Sequence, residues 1–177
     1  GNTRIQSYRI SPRHGKASQL SPGVVLTRGK HFGDGLLLQF FVDAQDRAYV
    51  SVGGTGVAVI DLRQRARIGT IATSAGDQGL AVRVMLQDHH GIIWMGGWND
   101  GISLFDPGTS LPSLLRRYTV EDGLPDNSIR SFHEDGDGMM WVGTRYGGIA
   151  RHDGKAFRTV AMKDGLMSNT IWKIAED

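Results

Sequence analysis

The sequence contains no cysteine, which excludes disulfide frameworks, thiol catalysis and cysteine-based zinc sites from its 177 residues. Long hydrophobic runs are missing as well. The longest, Gly35 to Val42, is broken by Gln39 and is far too short to cross a membrane. No apolar signal-peptide core occurs near the start, where Arg4, Arg9, Arg13, His14 and Lys16 fall. Neither sign of charge dominates: 20 basic and 18 acidic side chains leave a formal net charge of +2. The basic residues are scattered, with Arg116-Arg117 the only adjacent pair, which argues against nucleic acid as a partner. Proline is scarce, with five residues, so collagen-like and proline-rich architectures are excluded. Balanced charge with 40% hydrophobic content excludes a disordered chain.

Glycine is what the sequence has in excess. Its 25 residues are about 14% of the chain, against an ordinary usage of about 7%. So many potential turns suggest a repeat, and the chain aligns on itself. Asp88-His-His-Gly91-Ile-Ile-Trp94-Met-Gly96 recurs as Asp135-Gly-Asp-Gly138-Met-Met-Trp141-Val-Gly143, and more weakly as Asp43-Ala-Gln-Asp46-Arg-Ala-Tyr49. The aromatic positions stand about 45 and about 47 residues apart. A second block, Asp122-Gly123-Leu-Pro-Asp-Asn127-Ser-Ile129, recurs as Asp164-Gly165-Leu-Met-Ser-Asn169-Thr-Ile171. Each unit reads as four short strands, separated by Asp- and Gly-containing turns, and no window keeps a helical period.

Four strands in roughly 40–45 residues predict an all-β chain of β-propeller blades. Blade 1 is expected near residues 36–72, blade 2 near 81–119 and blade 3 near 128–161, with a fourth opening at 170–177. Residues 1–30 are expected to hold outer strands of a preceding blade or an irregular segment. Three complete blades cannot close a ring of the usual four to eight. A piece of a longer protein is therefore expected, its ring completed by further blades or by a second chain.

The order Asp-Gly-Leu-Pro-x-Asn-x-Ile, Glu-Asp-x-x-Gly-x-x-Trp-Val-Gly-Thr and Gly-Gly-x-x-x-x-Asp resembles the two-component regulator propeller repeat. Its best copy is Asp122–Ile129, Glu134–Thr144 and Gly147–Asp153. The resemblance covers roughly residues 31–177. Blade 1 departs from it with Tyr49 for tryptophan, and blade 2 with Gly97 for threonine and Asp77-Gln-Gly79-Leu for Asp-Gly-Leu. It implies the extracytoplasmic, periplasmic or extracellular, sensor half of a hybrid histidine kinase or related bacterial receptor. The implied function is sensing a small molecule or saccharide, with catalytic output in a separate domain, and no enzyme activity or cofactor here.

Ligand contacts are expected in the turns between second and third strands and in the inter-blade loops. The candidates are Trp98, Asn99, Asp100, Arg145 and Tyr146, with Asp126, Asn127 and Asn169 from the loops. Trp98 and Tyr146 hold near-equivalent positions and could flank one sugar ring, with Asn99, Asp100 and Arg145 supplying hydrogen bonds. Asn127 and Asn169 also fit a role in bracing their own loops. Tyr49, Trp94 and Trp141 are expected in the core, and Asp88 and Asp135 in turns. Asp135-Gly-Asp137-Gly138 superficially resembles a calcium loop but lacks the downstream glutamate. His133-Glu134 is similar to the dyad of propeller lyases such as virginiamycin B lyase, which leaves such an enzyme as one alternative. A protein-binding scaffold with Trp98 as its anchor is the other.

Overall fold

A computed structural model describes residues 37–53, 56–71, 82–108 and 110–176. Twelve strands form three four-stranded antiparallel sheets, each in chain order. The first holds β1 (Leu37–Val42), β2 (Arg47–Val52), β3 (Gly56–Asp61) and β4 (Ala66–Ile71). The second holds β5 (Val84–Gln87), β6 (Ile93–Gly96), β7 (Ile102–Asp106) and β8 (Ser113–Tyr118). The third holds β9 (Ile129–Glu134), β10 (Met140–Thr144), β11 (Ile149–His152) and β12 (Phe157–Val160).

The inner strands are near-continuous apolar runs because both their faces are covered. Every residue of β2 and of β6 is buried. The fourth strands are polar and exposed, as in β8, where only Tyr118 is buried. One apolar cluster joins the first and second sheets through Tyr49, Val59, Met85 and Met95. Another joins the second and third through Trp94, Ile129, Phe132 and Val142. Close approach at this second junction needs a missing side chain: a Cβ on Gly96 would stand 2.6 Å from Ile129. Gly143 receives Ile171 in the same way, at 2.7 Å.

The repeated aspartate-plus-aromatic block is a clamp. Asp88 Oδ1 accepts from the amides of His90 and Ile92, while Oδ2 accepts from Trp94 Nε1 at 2.7 Å. Asp135 repeats this with Asp137, Met139 and Trp141 Nε1 at 2.6 Å. In the first sheet Tyr49 replaces tryptophan and keeps the bond, its hydroxyl donating to Asp43 Oδ2 at 2.8 Å. Tyr49 and Trp94 are buried, whereas Trp141 lies only half-buried on the outer side. The Asp-Gly-Leu block is a single turn of 3-10 helix, Val120–Asp122, ended by Gly123 at φ 98°. Its copy is Met162–Asp164, ended by Gly165.

The expected β-propeller is corrected by this topology. The described strands form three separate sheets, none of which is closed or curled into a propeller or barrel, and no ladder connects the third sheet back to the first. Contacts between sheets run from β1 to β5 and from β5 and β6 to β9. The physical reason is that a repeat specifies a four-stranded unit and its junction to the next unit. Closure is a separate contact that a repeat does not encode. At residues 170–176, where a fourth unit is expected to open, Ile171 N donates to Thr144 O at 2.9 Å, as Ile129 N does to Gly97 O at 3.0 Å. The outer strands expected within residues 1–30 lie outside the described residues.

Candidate functional site

The turns after β6 and β10 have one plan. Gly97 N donates to Gly101 O, and Thr144 N to Gly148 O, so Trp98 stands in register with Arg145 and Asn99 with Tyr146. The near-equivalence of Trp98 and Tyr146 expected from the sequence is therefore one residue out. Asn99 adopts a left-handed backbone at φ 70°, and its Oδ1 accepts from Ser128 Oγ at 2.6 Å. That bond ties the turn after β6 to the entry of β9.

A cleft of about 160 Å³ opens at this junction, lined by Arg83, Trp98, Ser128, Ile129, Arg130, Arg145 and Trp172. The guanidinium carbons of Arg83 and Arg145 lie 4.3 and 4.2 Å from the centre of the Trp98 ring. Arg130 lies 4.0 Å from the Trp172 ring, which is exposed. These are cation–π distances, at which the flat face of a guanidinium rests on an indole.

Of the sequence candidates, Trp98 and Arg145 line the cleft. Tyr146 does not line it: its ring is 62% exposed and lies 4.8 Å from Arg145 on the outer side. Asp126 is engaged within the backbone, accepting from Ser128 N at 2.9 Å and Tyr146 N at 2.7 Å. Asn127 Oδ1 accepts from Val120 N and Asn169 Oδ1 from Met162 N, so both side chains brace their own 3-10 turns. Asp100 is half-buried, and that burial raises its pKa against the opposing charge of Arg117.

Arg83, Arg130 and Trp172 are cleft residues that sequence reasoning missed. The signal was available but faint. Each follows, by one position, an apolar residue at the entry to a repeat: Val82, Ile129 and Ile171.

A second cleft, of about 360 Å³, lies between the turns Asp88–Gly91 and Asp135–Gly138. Glu134 bridges it, accepting from His89 N at 2.9 Å and pairing with His89 Nδ1. This hydrogen bond raises the His89 pKa. Gln87 makes the corresponding tie one sheet earlier, accepting from Ala44 N at 2.9 Å. No group of three or more His, Asp or Glu side chains among the described residues could hold a metal ion. The His133-Glu134 pair is split between partners, with His133 Nε2 3.5 Å from Glu176 and Glu134 on His89.

The geometry thus defines an array of four-stranded antiparallel sheets with an arginine–indole cleft at one sheet junction. The two component regulator propeller family is matched over residues 123–146, which hold the third sheet's entry loop, β9 and β10. No curated protein matches the chain. Solved structures do. The extracellular domain of the hybrid two component system BT3049 from B. thetaiotaomicron is 19% identical, with a TM-score of 0.53. The match covers 83% of this chain and 25% of that one. The extracellular domain of BT4673 from the same organism, described as a hybrid two component system, is 19% identical with a TM-score of 0.62, covering 84% and 20%. A further structure of that domain, described as a one component system, is 18% identical with a TM-score of 0.65, again covering 84% and 20%. The chain spans a fifth to a quarter of the length of these structures, and at such identity the likeness is one of fold alone.

Proposed function

We propose that this chain is part of the extracytoplasmic sensor domain of a two-component signalling receptor and binds a small molecule or saccharide at the cleft around Trp98 and Arg145. The repeat match at residues 123–146 and the extracellular origin of the similar structures support the receptor setting. The observation that carries the binding role is the placement of Trp98. Its ring is half-buried at the mouth of a cleft between two sheets, with a guanidinium on each side of it in sequence, rather than folded into the apolar junction below. With guanidinium carbons 4.3 and 4.2 Å from its centre, the ring sets a partly exposed apolar surface beside polar donors, a combination that suits a saccharide contact. Catalysis belongs to another part of the receptor in this reading.

A saccharide array followed by calorimetry tests it. Binding by the chain that is lost in Trp98→Ala, with an unchanged melting transition, is the expected result. An array without a single Trp98-dependent saccharide would sink the reading.

A further inference from the structure

Three arginines, Arg83, Arg130 and Arg145, line the cleft. Among the described residues, no carboxylate lies within ion-pair distance of Arg83, Arg130 or Arg145. The described acids nearest to Arg83 and Arg130 in sequence act elsewhere. Both Asp88 and Asp126 hold backbone amides, and Glu134 pairs with His89. The guanidinium carbons lie 4.0 to 4.3 Å from the centres of the Trp98 and Trp172 rings. A cation–π contact leaves the N–H donors of a guanidinium to find acceptors of their own. One of them, Nε of Arg130, is buried and has no hydrogen-bond partner among the described residues, a costly state for a donor.

We infer that this cleft is an anion site, and that its ligand is a small molecule carrying a carboxylate or a sulfate. The inference rests on the sensor reading and narrows its ligand class. Guanidinium edges match the paired oxygens of a carboxylate or sulfate, which a neutral hydroxyl cannot replace. At about 160 Å³ the cleft is smaller than the roughly 300–1,000 Å³ of pockets for drug-sized ligands, so it encloses the acid group and little of the molecule that carries it. The site belongs to the junction and not to one sheet. Arg83 precedes β5, Arg130 lies on β9, Arg145 follows β10, and residue 172 completes it.

Tryptophan fluorescence of the whole chain, titrated with glucuronate, glucose 6-sulfate and glucose, tests the inference. One or both acids should give a saturable change at concentrations at least about ten-fold below glucose, and added salt should weaken it. Which acid responds identifies the anion. Arg130→Gln and Arg145→Gln should each weaken that response about ten-fold, the scale of one charge-assisted hydrogen bond. Circular dichroism melts show that both variants fold. Equal responses to acids and glucose, or unchanged binding in both variants, overturn the inference. No response to either acid overturns it too. In that case a Trp98-dependent neutral saccharide on the array would still leave the sensor reading standing.

Discussion

Asp88 and Asp135 each hold two backbone amides and one indole N–H, so one side chain orders a turn and pins the aromatic that follows it. Replacing the indole by a phenyl ring keeps most of the apolar area and removes the donor. Trp94→Phe should therefore lower unfolding free energy by about 1–3 kcal/mol, the cost of an acceptor left unpaired. Trp94→Ala should cost about 3–5 kcal/mol, as for a buried aromatic, and Trp141→Ala clearly less, because Trp141 is half-buried. Urea unfolding orders the three variants, and equal losses for both alanine variants would contradict the burial argument.

His152 makes a different prediction. It is 5% exposed, its Nδ1 accepts from Gly154 N at 3.2 Å, and its Nε2 has no partner. Burial against Trp94, Tyr118 and Phe157 lowers its pKa, with Arg116 acting in the same direction and Asp153 against it. The folded pKa thus lies below the unfolded value of about 6.5, so the unfolded chain takes up the proton first. This contribution to stability is complete above that value and is lost as pH falls through the lowered folded pKa. Unfolding midpoints measured from about pH 7.5 to about pH 5 should fall more steeply in the native chain than in His152→Leu. Parallel profiles would remove His152 as the cause.

At the scale of elements, the third strand of each sheet starts on, or directly after, a glycine with positive φ: Gly56, Gly101 and Gly148. The place a side chain would occupy is already taken. At Gly56 a Cβ would stand 2.5 Å from the Ile71 carbonyl oxygen, and at Gly101 it would strike that of Tyr118. Gly101→Ala combines an unfavourable backbone with a backbone clash, and should cost more than the about 1 kcal/mol of backbone strain alone. Thermal melting measures it, and a neutral effect would show that the fourth strand yields freely.

Much of this level was legible in the sequence. The Trp-Val-Gly-Thr and Asp-Gly-Leu blocks encode local hydrogen bonding, so the four-stranded unit, its turns and its loop braces could be read from residue types. The cleft was legible only in part. Trp98 stood out as an aromatic in a polar turn, whereas Arg83, Arg130 and Trp172 share only a faint positional pattern and differ in residue type. The ring was misread because nothing in a single unit states how the first and last sheets stand to one another.

Over the whole molecule, the second sheet is packed by one apolar cluster toward the first sheet and another toward the third, and a third cluster, with Val50, Val52 and Ile60, buries the other face of the first sheet. Amide hydrogen exchange should be slowest in β2, β3 and β6, whose residues are almost all buried, and fastest in β8 and β12. Uniform exchange across all twelve strands would mean that the sheets open as one unit. The exposed fourth strands have a consequence for how the molecule behaves in a crowded solution. A bare strand invites another chain to extend the sheet, and β8 also presents Leu114 and Leu115 to solvent. Arg116 and Arg117 follow them on the same strand, Arg67 occupies β4, and Arg158 occupies β12. Each open margin thus carries guanidinium charge, which repels an identical copy and guards the chain against fibrous aggregation.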